Sequence, residues 1–369
     1  MNKPIRVLHI LQRMETGGTQ TLLMTLYRNM DRSKIQFDFF VMYPDKYFYD
    51  DEIVKLGGRI YYSTVRLDKN IFKYTKELKK IILENNYKIV HVHTYSIGYF
   101  ALKTAKKCNV PVRIAHSHNN QTVRDKKYII KKMLQKIYTM YATDLFACSE
   151  EAGRYLFRSK KFNVLNNSID SQKFIYKENL RNKVRKKLKI KDDEFLVGHI
   201  GRLHAQKNHN FLLDIFVEIK NKIKNSKLLL IGDGPLEDEI INKIKKLGIE
   251  QNVIMLKNRS DVNELYMAMD VFILPSLFEG LGIVAIEAQA AGTPIIISDG
   301  VPDTANITPI CKKLNLTDSA SKWAEEAIKI AKSKLAHTNM QKYIIKSGFD
   351  MQSTVNWLEE FYLSSIKSE

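Results

Sequence analysis

The feature that most constrains the fold is a series of short apolar segments, each followed by a longer amphipathic one. Many of the short segments are apolar throughout, which is typical of strands in a parallel sheet that is covered on both faces. The pattern predicts an α/β protein with a Rossmann-like core in each half of the chain. The predicted strands are residues 5–11, 36–42, 59–63, 89–93, 112–117 and 144–149, then 195–201, 227–232, 253–256, 271–276 and 294–298.

Length and composition fit two domains. The chain has 369 residues, of which 44% are hydrophobic, so it can bury two ordinary cores. We predict a first domain over 1–165, a polar connection over 166–178, a second domain over 179–348 and a C-terminal helix over 349–369. No uninterrupted apolar stretch approaches the ~20 residues that cross a bilayer.

The chain is strongly basic, with 59 Lys and Arg against 40 Asp and Glu and a formal net charge of +19. Such a chain is attracted to phosphates on nucleic acid, on an anionic membrane or on a small ligand. A nucleic-acid-binding protein is one alternative, but no motif of that class occurs and the basic residues do not form a stripe with interleaved aromatic residues, so we expect no nucleic-acid partner. Three widely spaced cysteines indicate reduced thiols in a cytosol.

Polar and glycine residues follow the strands, at the edge where open α/β sheets bind ligands. Gly17 and Gly18 come after the first strand and precede a predicted helix that begins at Thr19. Exposed amides at a helix N-terminus suit a phosphate group. A simple turn explains the two glycines equally well.

Two neighbouring strands end in paired histidines, His91 with His93 and His116 with His118. Alternation along a strand points each pair to one face, so four imidazoles should gather at one sheet edge. A metal site is conceivable, but no carboxylate or cysteine stands nearby in sequence to support it, and we expect no metal. Hydrogen-bonded residues at strand ends and a functional cluster remain two open interpretations.

Basic residues and glycines also follow strands in the second half. Arg202 and Lys207 flank a turn before a predicted helix that begins near Asn208, which makes an anion clamp suited to a diphosphate. A solvated basic loop is the alternative. Gly232 begins a Gly-x-Gly turn whose shape fits a nucleotide crevice, although such turns occur in many folds.

Two glutamates lie around a Gly-x-Gly turn. If a helix starts near Gly282, Glu287 lies roughly 7–8 Å from that start along the helix axis, which is about the length of one nucleotide unit. Its carboxylate could accept both hydroxyls of a ribose, while the amides of Gly280, Leu281 and Gly282 face phosphate or sugar oxygens. Glu279 would then bond the hydroxyls of a sugar beyond the phosphates. Acid/base hydrolysis by the two carboxylates is disfavoured, because only one of them lies in the loop.

The segment 275–296, PSLFEGLGIVAIEAQAAGTPII, resembles the E-x-G-x-G-x-x-x-x-E signature of glycosyltransferase family 4. The resemblance extends over nearly the whole chain, through Gly17-Gly18, the His strand 89–93, 166-NNSID-170 and 201-GRL with Lys207-Asn208. It implies the GT-B fold, in which two Rossmann-like domains face a cleft, with the C-terminal helix packing back on the N-terminal domain. The wording HSHN is most similar to bacterial exopolysaccharide and capsule transferases.

The resemblance also implies a chemistry. The enzyme would transfer a sugar with retention from a nucleotide sugar, with UDP as the nucleotide on family frequency, to a saccharide or lipid-linked saccharide. Arg202 and Lys207 would neutralise the diphosphate, Glu287 would hold the ribose and Glu279 the donor sugar. His118 would bind the C6 hydroxyl of the transferred sugar. Gly17 and Gly18 would approach the diphosphate or the acceptor.

Three departures from the family pattern stand out. Ser168 replaces a glycine, Gln206 replaces a frequent Glu, and residues 298–307 lack the usual G-G-x-x-E loop. No Asp-x-Asp pair occurs, so the basic clamp would supply the charge that a metal otherwise provides. A GT-B relative without transfer activity, such as an epimerase or a phosphorylase, is the alternative within this fold.

The segment 122–141 mixes basic and apolar residues as a helix lying on an anionic membrane would. We therefore expect a cytoplasmic protein that docks on the inner face of the cell membrane. A packed helix with a solvated basic face is the alternative, and it is favoured when the segment is considered without the fold.

Overall fold

The computed structural model describes residues 3–15, 18–95, 97–118, 137–257, 259 and 261–367. The chain forms two compact units. The first comprises Met1–Ser168 together with Met351–Glu369, and the second comprises Ile169–Asp350. Most of the predicted connection, from Ile169 onward, therefore belongs to the second unit, where Ser171 and Phe174 are buried.

The first unit is built on a seven-stranded parallel sheet in the order β3-β2-β1-β4-β5-β6-β7. All six strands predicted for this half are present. The sequence missed β7, because two residues, one of them polar, show no pattern. The strands are β1 Ile5–Leu11, β2 Ile35–Val41, β3 Ile60–Tyr62, β4 Ile89–Val92, β5 Val112–Ser117, β6 Asp144–Ala147 and β7 Asn163–Val164.

Helices cover both faces of this sheet. They are α1 Gly18–Asn29, α2 Asp50–Lys55, α3 Val65–Asp68, α4 Ile71–Glu84, α5 Gly98–Lys107 and α6 Glu150–Phe157. Leu8 and Ile10 of β1 pack on one face with residues of α4 and α5, while Val7 and Leu11 pack on the other face with residues of α1. This alternation decides which side chains after the strands share a face.

The second unit contains a six-stranded parallel sheet in the order β10-β9-β8-β11-β12-β13. The five predicted strands are present, and the edge strand β13 was missed because its sequence, CKKL, is half basic. The strands are β8 Phe195–Ile200, β9 Ser226–Ile231, β10 Val253–Leu256, β11 Val271–Leu274, β12 Ile295–Ser298 and β13 Cys311–Leu314.

The helices of the second unit are α7 Glu178–Lys187, α8 His209–Lys222, α9 Glu237–Lys246, α10 Val262–Ala268, α11 Ile283–Ala290, α12 Ala320–Ala331 and α13 Gln341–Lys346. Two arginines of α7 bind the end of α10. Arg181 Nη1 donates to the carbonyls of Met267 and Ala268 at 3.0 Å, and Arg185 Nη1 donates to the same Ala268 carbonyl at 3.1 Å. The last carbonyls of a helix have no partner within it, so these contacts stabilise the end of α10.

The last helix, α14 Met351–Lys367, belongs to the first unit. Met351, Val355, Leu358 and Tyr362 are buried in the same core as α1, so the expectation that this helix packs back on the N-terminal domain is confirmed. Glu359 accepts a hydrogen bond from the Asp31 amide at 2.6 Å. The helix therefore covers the sheet face that carries the histidines.

Most of the basic segment 122–141 lies outside the described residues. Within its described end, Tyr138–Tyr141 forms a 3-10 helix in which Tyr138 is buried. Among the helices that the structure describes, none is both long and apolar enough to span a bilayer.

Candidate functional site

Five histidines lie together at the carboxyl edge of the first sheet. The four predicted ones share a face, as the alternation along β4 and β5 required. The fifth, His9, lies on β1 opposite His91. The sequence analysis missed His9 because it stands inside a strand rather than at its end. Its position two residues before Leu11, on the same strand and therefore on the same face, was the available signal.

The rings form two hydrogen-bonded rows. In the first row, His9 Nδ1 lies 3.0 Å from His93 Nε2, and His93 Nδ1 lies 2.8 Å from His118 Nε2. In the second row, the Tyr362 hydroxyl of α14 lies 2.8 Å from His91 Nδ1, and His91 Nε2 lies 3.0 Å from His116 Nδ1. The rows stack on each other, with ring centroids 4.4 Å apart for His91 and His93 and 4.0 Å apart for His116 and His118.

Burial keeps these rings neutral. Desolvation lowers the pKa of His9 and of His118 to about 3. It also lowers the pKa of His91, His93 and His116 well below the ordinary value, and the neighbouring imidazoles add to the effect. The cluster therefore supplies hydrogen-bond donors and acceptors, and no positive charge, at neutral pH.

The histidines are also the described residues with the clearest metal-ligating arrangement. Two sets of three imidazoles, His9 with His91 and His93, and His93 with His116 and His118, have ligand atoms within 4.8 Å of one another. Nitrogens on one tetrahedral ion with bonds of 2.0–2.1 Å lie about 3.3 Å apart. The linked nitrogens here are 2.8–3.0 Å apart, so the arrangement fits hydrogen-bonded rings better than a metal centre.

A cavity of about 200 Å³ adjoins the first row. His93 and His118 line it together with Glu15, Thr19 and Tyr95. The Tyr95 hydroxyl accepts the His118 backbone N–H at 3.0 Å. Gly18 begins α1, whose first turn reaches the cavity, whereas Gly17 lies outside the described residues. The cavity thus combines a helix N-terminus with a neutral imidazole.

In the second unit, two loops cross so closely that glycine is required. Gly232 has a φ of +147°, and a Cβ there would lie 2.1 Å from the Gly201 carbonyl oxygen. The Leu203 amide donates to the Asp233 carbonyl at 2.7 Å across the same crossing. The backbone therefore explains Gly232 without a ligand, and its predicted donor contact stays a prediction.

Lys207 and Glu279 form one ion pair, although the sequence analysis gave them separate roles. Lys207 Nζ lies 2.6 Å from Glu279 Oε1, which also accepts the Ser276 hydroxyl at 2.6 Å. The two side chains are only 14% and 8% exposed. Gln206, which stands where the family often has Glu, donates from its amide to the Phe278 carbonyl at 2.8 Å. This hydrogen bond holds the loop that carries Glu279.

The unusual 298–307 loop supports the same turn. The Glu279 amide donates to the Gly300 carbonyl at 2.9 Å. Val301 packs against Gly282, where a Cβ would lie 3.1 Å from the valine Cγ1. Gly282 has a φ of +76° and directly precedes α11, so the predicted helix start is confirmed. Gly280 is exposed and Leu281 is half-buried beside it.

Glu287 lies on α11 and contacts only a neutral group. Its Oε2 accepts the Tyr266 hydroxyl at 3.0 Å, and its Oε1 has no hydrogen-bond partner in the part of the chain that the structure describes. Burial raises the pKa of Glu287 to about 7, and the tyrosine hydrogen bond offsets part of that rise. No basic side chain within the described ranges pairs with it, so its carboxylate stays available to a ligand with hydroxyls.

Arg202 is exposed and makes no ion pair with any described residue.

A second buried histidine pair lies beside Lys207, and sequence reasoning missed it. His199 Nδ1 bonds the Ile273 carbonyl at 2.8 Å, and its ring centroid lies 4.8 Å from that of His209. Burial lowers the pKa of His209 to about 4, with the Lys207 charge as a second cause. Lys207 thus lies near this neutral histidine pair and forms its ion pair with Glu279.

The chain matches two protein families along its length. Residues 16–173 match the family described as Glycosyltransferase Family 4, and residues 181–347 match the one described as Glycosyl transferases group 1. EpsF of Bacillus subtilis (strain 168), which bears the name of a glycosyltransferase, is 34% identical over 99% of this chain and 98% of its own.

Two further relatives have named roles. The capsular polysaccharide biosynthesis glycosyltransferase CapM of Staphylococcus aureus is 32% identical over 69% of this chain and 70% of its own. The UDP-Gal:alpha-D-GlcNAc-diphosphoundecaprenol alpha-1,3-galactosyltransferase of Escherichia coli is 28% identical over 60% of each chain. The similarity to exopolysaccharide and capsule transferases expected from the sequence is confirmed.

A solved structure, Anabaena Alr3699/HepE in complex with UDP, matches 98% of this chain and 100% of its own with a TM-score of 0.79 at 16% identity. A likeness at this identity shows the fold. The expected GT-B class, with a Rossmann-like sheet in each unit, is confirmed.

The loop crossing at Gly232 predicts a loss of stability in Gly232→Ala. The added Cβ meets the Gly201 carbonyl and the positive φ disfavours any side chain, so we expect the free energy of unfolding to fall on the order of 3 kcal/mol. Urea denaturation measures it. Gly280→Ala is the matched control, because no atom lies within 4 Å of a Cβ built there. Equal stability of the two variants would contradict the crossing.

The raised pKa of Glu287 predicts that its carboxylate destabilises the fold at high pH. The unfolded chain ionises first, so the stability is present below pH 4.5 and is lost as the pH rises toward about 7. We expect Glu287→Gln to exceed the wild type in free energy of unfolding on the order of 2 kcal/mol at pH 8 and to match it near pH 4. Denaturation at both values tests this, with exposed Glu360→Gln as the control. A pH-independent difference would count against it.

Proposed function

The chain belongs to glycosyltransferase family 4, and from this premise we propose that it transfers a sugar from a UDP-sugar to a saccharide or a lipid-linked saccharide with retention of configuration. The observation that carries the proposal is the turn before α11. There Lys207, Glu279 and the amides of 280–282 converge, and Glu287 follows inside the helix.

The second unit supplies the chemistry that a nucleoside diphosphate needs. The helix N-terminus and the Lys207 ammonium attract the diphosphate, and exposed Arg202 adds a second cation. Glu287 lies roughly 7–8 Å along the helix from Gly282, the distance from a phosphate to a ribose. Its carboxylate has no cation within the described residues to compete with ribose hydroxyls. We infer no metal, because the basic groups can offset the charge of the leaving diphosphate.

Glu279 links Lys207, which we assign to the diphosphate, to the place that we assign to the donor sugar. Lys207 and Ser276 both bond its Oε1, which orients the carboxylate. Within the described ranges, Oε2 has only a long contact of 3.4 Å to Gln206. Oε2 is therefore the oxygen we assign to the donor sugar hydroxyls. The choice of UDP is supported by the HepE structure, which contains UDP.

In the first unit, we assign His118 to the C6 hydroxyl of the transferred sugar and the first turn of α1, after Gly17 and Gly18, to the diphosphate or the acceptor. The family resemblance supports both assignments. A diphosphate-linked acceptor is supported by the Escherichia coli relative, which is named for a diphosphoundecaprenol substrate. The departing phosphate would lie close to the incoming hydroxyl and accept its proton.

A lipid-linked acceptor places the protein at the inner face of the cell membrane. We propose that the basic segment 122–141 docks there, because its lysines suit anionic lipid head groups and its apolar residues suit the interface.

Nucleotide binding tests the donor assignment. UDP at about 100 times its Kd should add about 2.7 kcal/mol to the stability of the wild type and raise its Tm. We expect Glu287→Ala to abolish the rise and Lys207→Ala to weaken UDP binding about tenfold or more, while exposed Lys224→Ala and Glu360→Ala respond as the wild type does. Thermal-shift titration measures all five proteins. A normal response of Glu287→Ala would refute the ribose role.

Vesicle binding tests the membrane assignment. Charge reversal of four lysines in the basic segment should release the protein from vesicles that contain phosphatidylglycerol, because each lysine near the surface contributes about 1 kcal/mol. Four reversals on exposed lysines of α7 and α9 control for net charge. Co-sedimentation is the measurement, and equal binding of the two variants would overturn the assignment. The test changes are Lys126→Glu, Lys127→Glu, Lys131→Glu and Lys132→Glu, and the control changes are Lys186→Glu, Lys187→Glu, Lys245→Glu and Lys246→Glu.

A further inference from the structure

We propose that His9 and His93 are positioning residues that lock His118 in the tautomer whose Nδ1 carries the proton, so that His118 presents a neutral N–H donor to the adjoining cavity. The geometry of the first histidine row supports this. The part that concerns a sugar oxygen as the acceptor of that hydrogen bond rests on the proposed function, whereas the tautomer itself does not.

The spacing of the strands creates the row. Neighbouring strands lie about 4.8 Å apart, so side chains on one face of β1, β4 and β5 come within reach of each other. The ring centroids of His9 and His93 are 5.2 Å apart, and those of His93 and His118 are 5.1 Å apart. At this separation the nitrogens meet at 3.0 and 2.8 Å, which is hydrogen-bond distance.

Three neutral rings in a row can be polarised in two ways only. Each neutral imidazole has one N–H and one acceptor nitrogen. If His9 donates from Nδ1, His93 accepts at Nε2 and donates from Nδ1, and His118 accepts at Nε2 and carries its proton on Nδ1. In the opposite polarity, His118 donates from Nε2 and His9 must carry its proton on Nε2.

The buried end of the row decides between them. His9 Nε2 is buried and has no hydrogen-bond partner among the described residues. Its ring packs against Phe37 and Phe39, with centroids 4.2 and 5.5 Å away, and no described residue offers an acceptor to Nε2. A buried N–H without a partner is rare and costly, and a bare acceptor nitrogen costs less. The polarity that leaves a lone pair on His9 Nε2 is therefore favoured.

The second row holds His118 in place from its other side. The His116 ring stacks on it at 4.0 Å, and His116 is in turn bonded to His91. A proton added to His118 would bring a positive charge against these neutral, buried rings. His118 therefore works as a donor to an oxygen lone pair, such as that of a sugar hydroxyl, and does not serve as the base that takes the acceptor's proton.

Asparagine and aspartate at position 9 have nearly the same shape and differ in the hydrogen bond that they can offer to His93. The asparagine amide nitrogen occupies the place of the imidazole Nδ1, so His9→Asn keeps the donor that begins the row. The ionised carboxylate of His9→Asp places an oxygen there that only accepts. His93 must then donate from Nε2, so His118 donates to His93 Nδ1 and carries its proton on Nε2.

Histidine ¹⁵N spectra of the ligand-free protein at pH 7.5 test the tautomer, with the His118 signals assigned by their loss in His118→Gln. We expect the Nδ1–H form of His118 in the wild type and in His9→Asn, and the Nε2–H form in His9→Asp. A wild-type His118 with its proton on Nε2 overturns the proposal even if neither variant folds. An unchanged Nδ1–H form in folded His9→Asp overturns the role of His9.

Turnover gives a second readout. We expect kcat to fall about tenfold or more in His9→Asp with KM little changed, and to stay within about threefold of the wild type in His9→Asn. The probe is whichever of UDP-glucose, UDP-galactose and UDP-N-acetylglucosamine releases UDP fastest with the wild type. Equal loss in both variants overturns the positioning role. If the wild type turns over none of them, the proposed function fails, and the spectra still decide the tautomer.

Discussion

The hydrogen-bonded spacing of parallel strands is the constraint on which both candidate sites depend. It brings side chains that are far apart in sequence to the same edge of a sheet, about 4.8 Å from strand to strand. In the first unit this spacing equals the reach of one imidazole to the next, so His9, His93 and His118 form a continuous row. In the second unit it brings the turn after β8 against the turn after β11, where Lys207 meets Glu279.

The two sites handle charge in opposite ways. The histidine cluster excludes charge, because burial lowers every pKa in it and leaves neutral donors and acceptors. The turn before α11 concentrates charge, because Lys207 pairs with Glu279 there and Glu287 has no cationic partner among the described residues. A leaving diphosphate needs cations beside it, and the Lys207 turn of the second unit offers one; a sugar hydroxyl needs only hydrogen bonds, and the histidine cluster of the first unit offers those.

Most strands could be predicted from the sequence, because strands that are buried on both faces are apolar throughout. Such a segment can be recognised without knowing which strand it pairs with. The strands that were missed, β7 and β13, are a two-residue edge strand and a half-basic one, and an edge strand need not be apolar. His9 was missed because its role comes from His93, a residue of another strand. The Lys207–Glu279 pair was missed because six helices and strands, from α8 to β11, lie between the two residues along the chain.

By itself, the sequence determined the α/β class, eleven of the thirteen strands that the structure describes, the start of α11 at Gly282 and the family to which the chain belongs. These features are local or repeat along the chain, so they can be recognised from residue propensities, hydrophobic patterns and short motifs. Only the tertiary structure decided that α14 covers the histidine face, that Gly232 is required by a backbone crossing and that Glu287 meets a tyrosine instead of a cation. Each of these depends on which atoms meet across elements that are distant in sequence, and packing in three dimensions sets that.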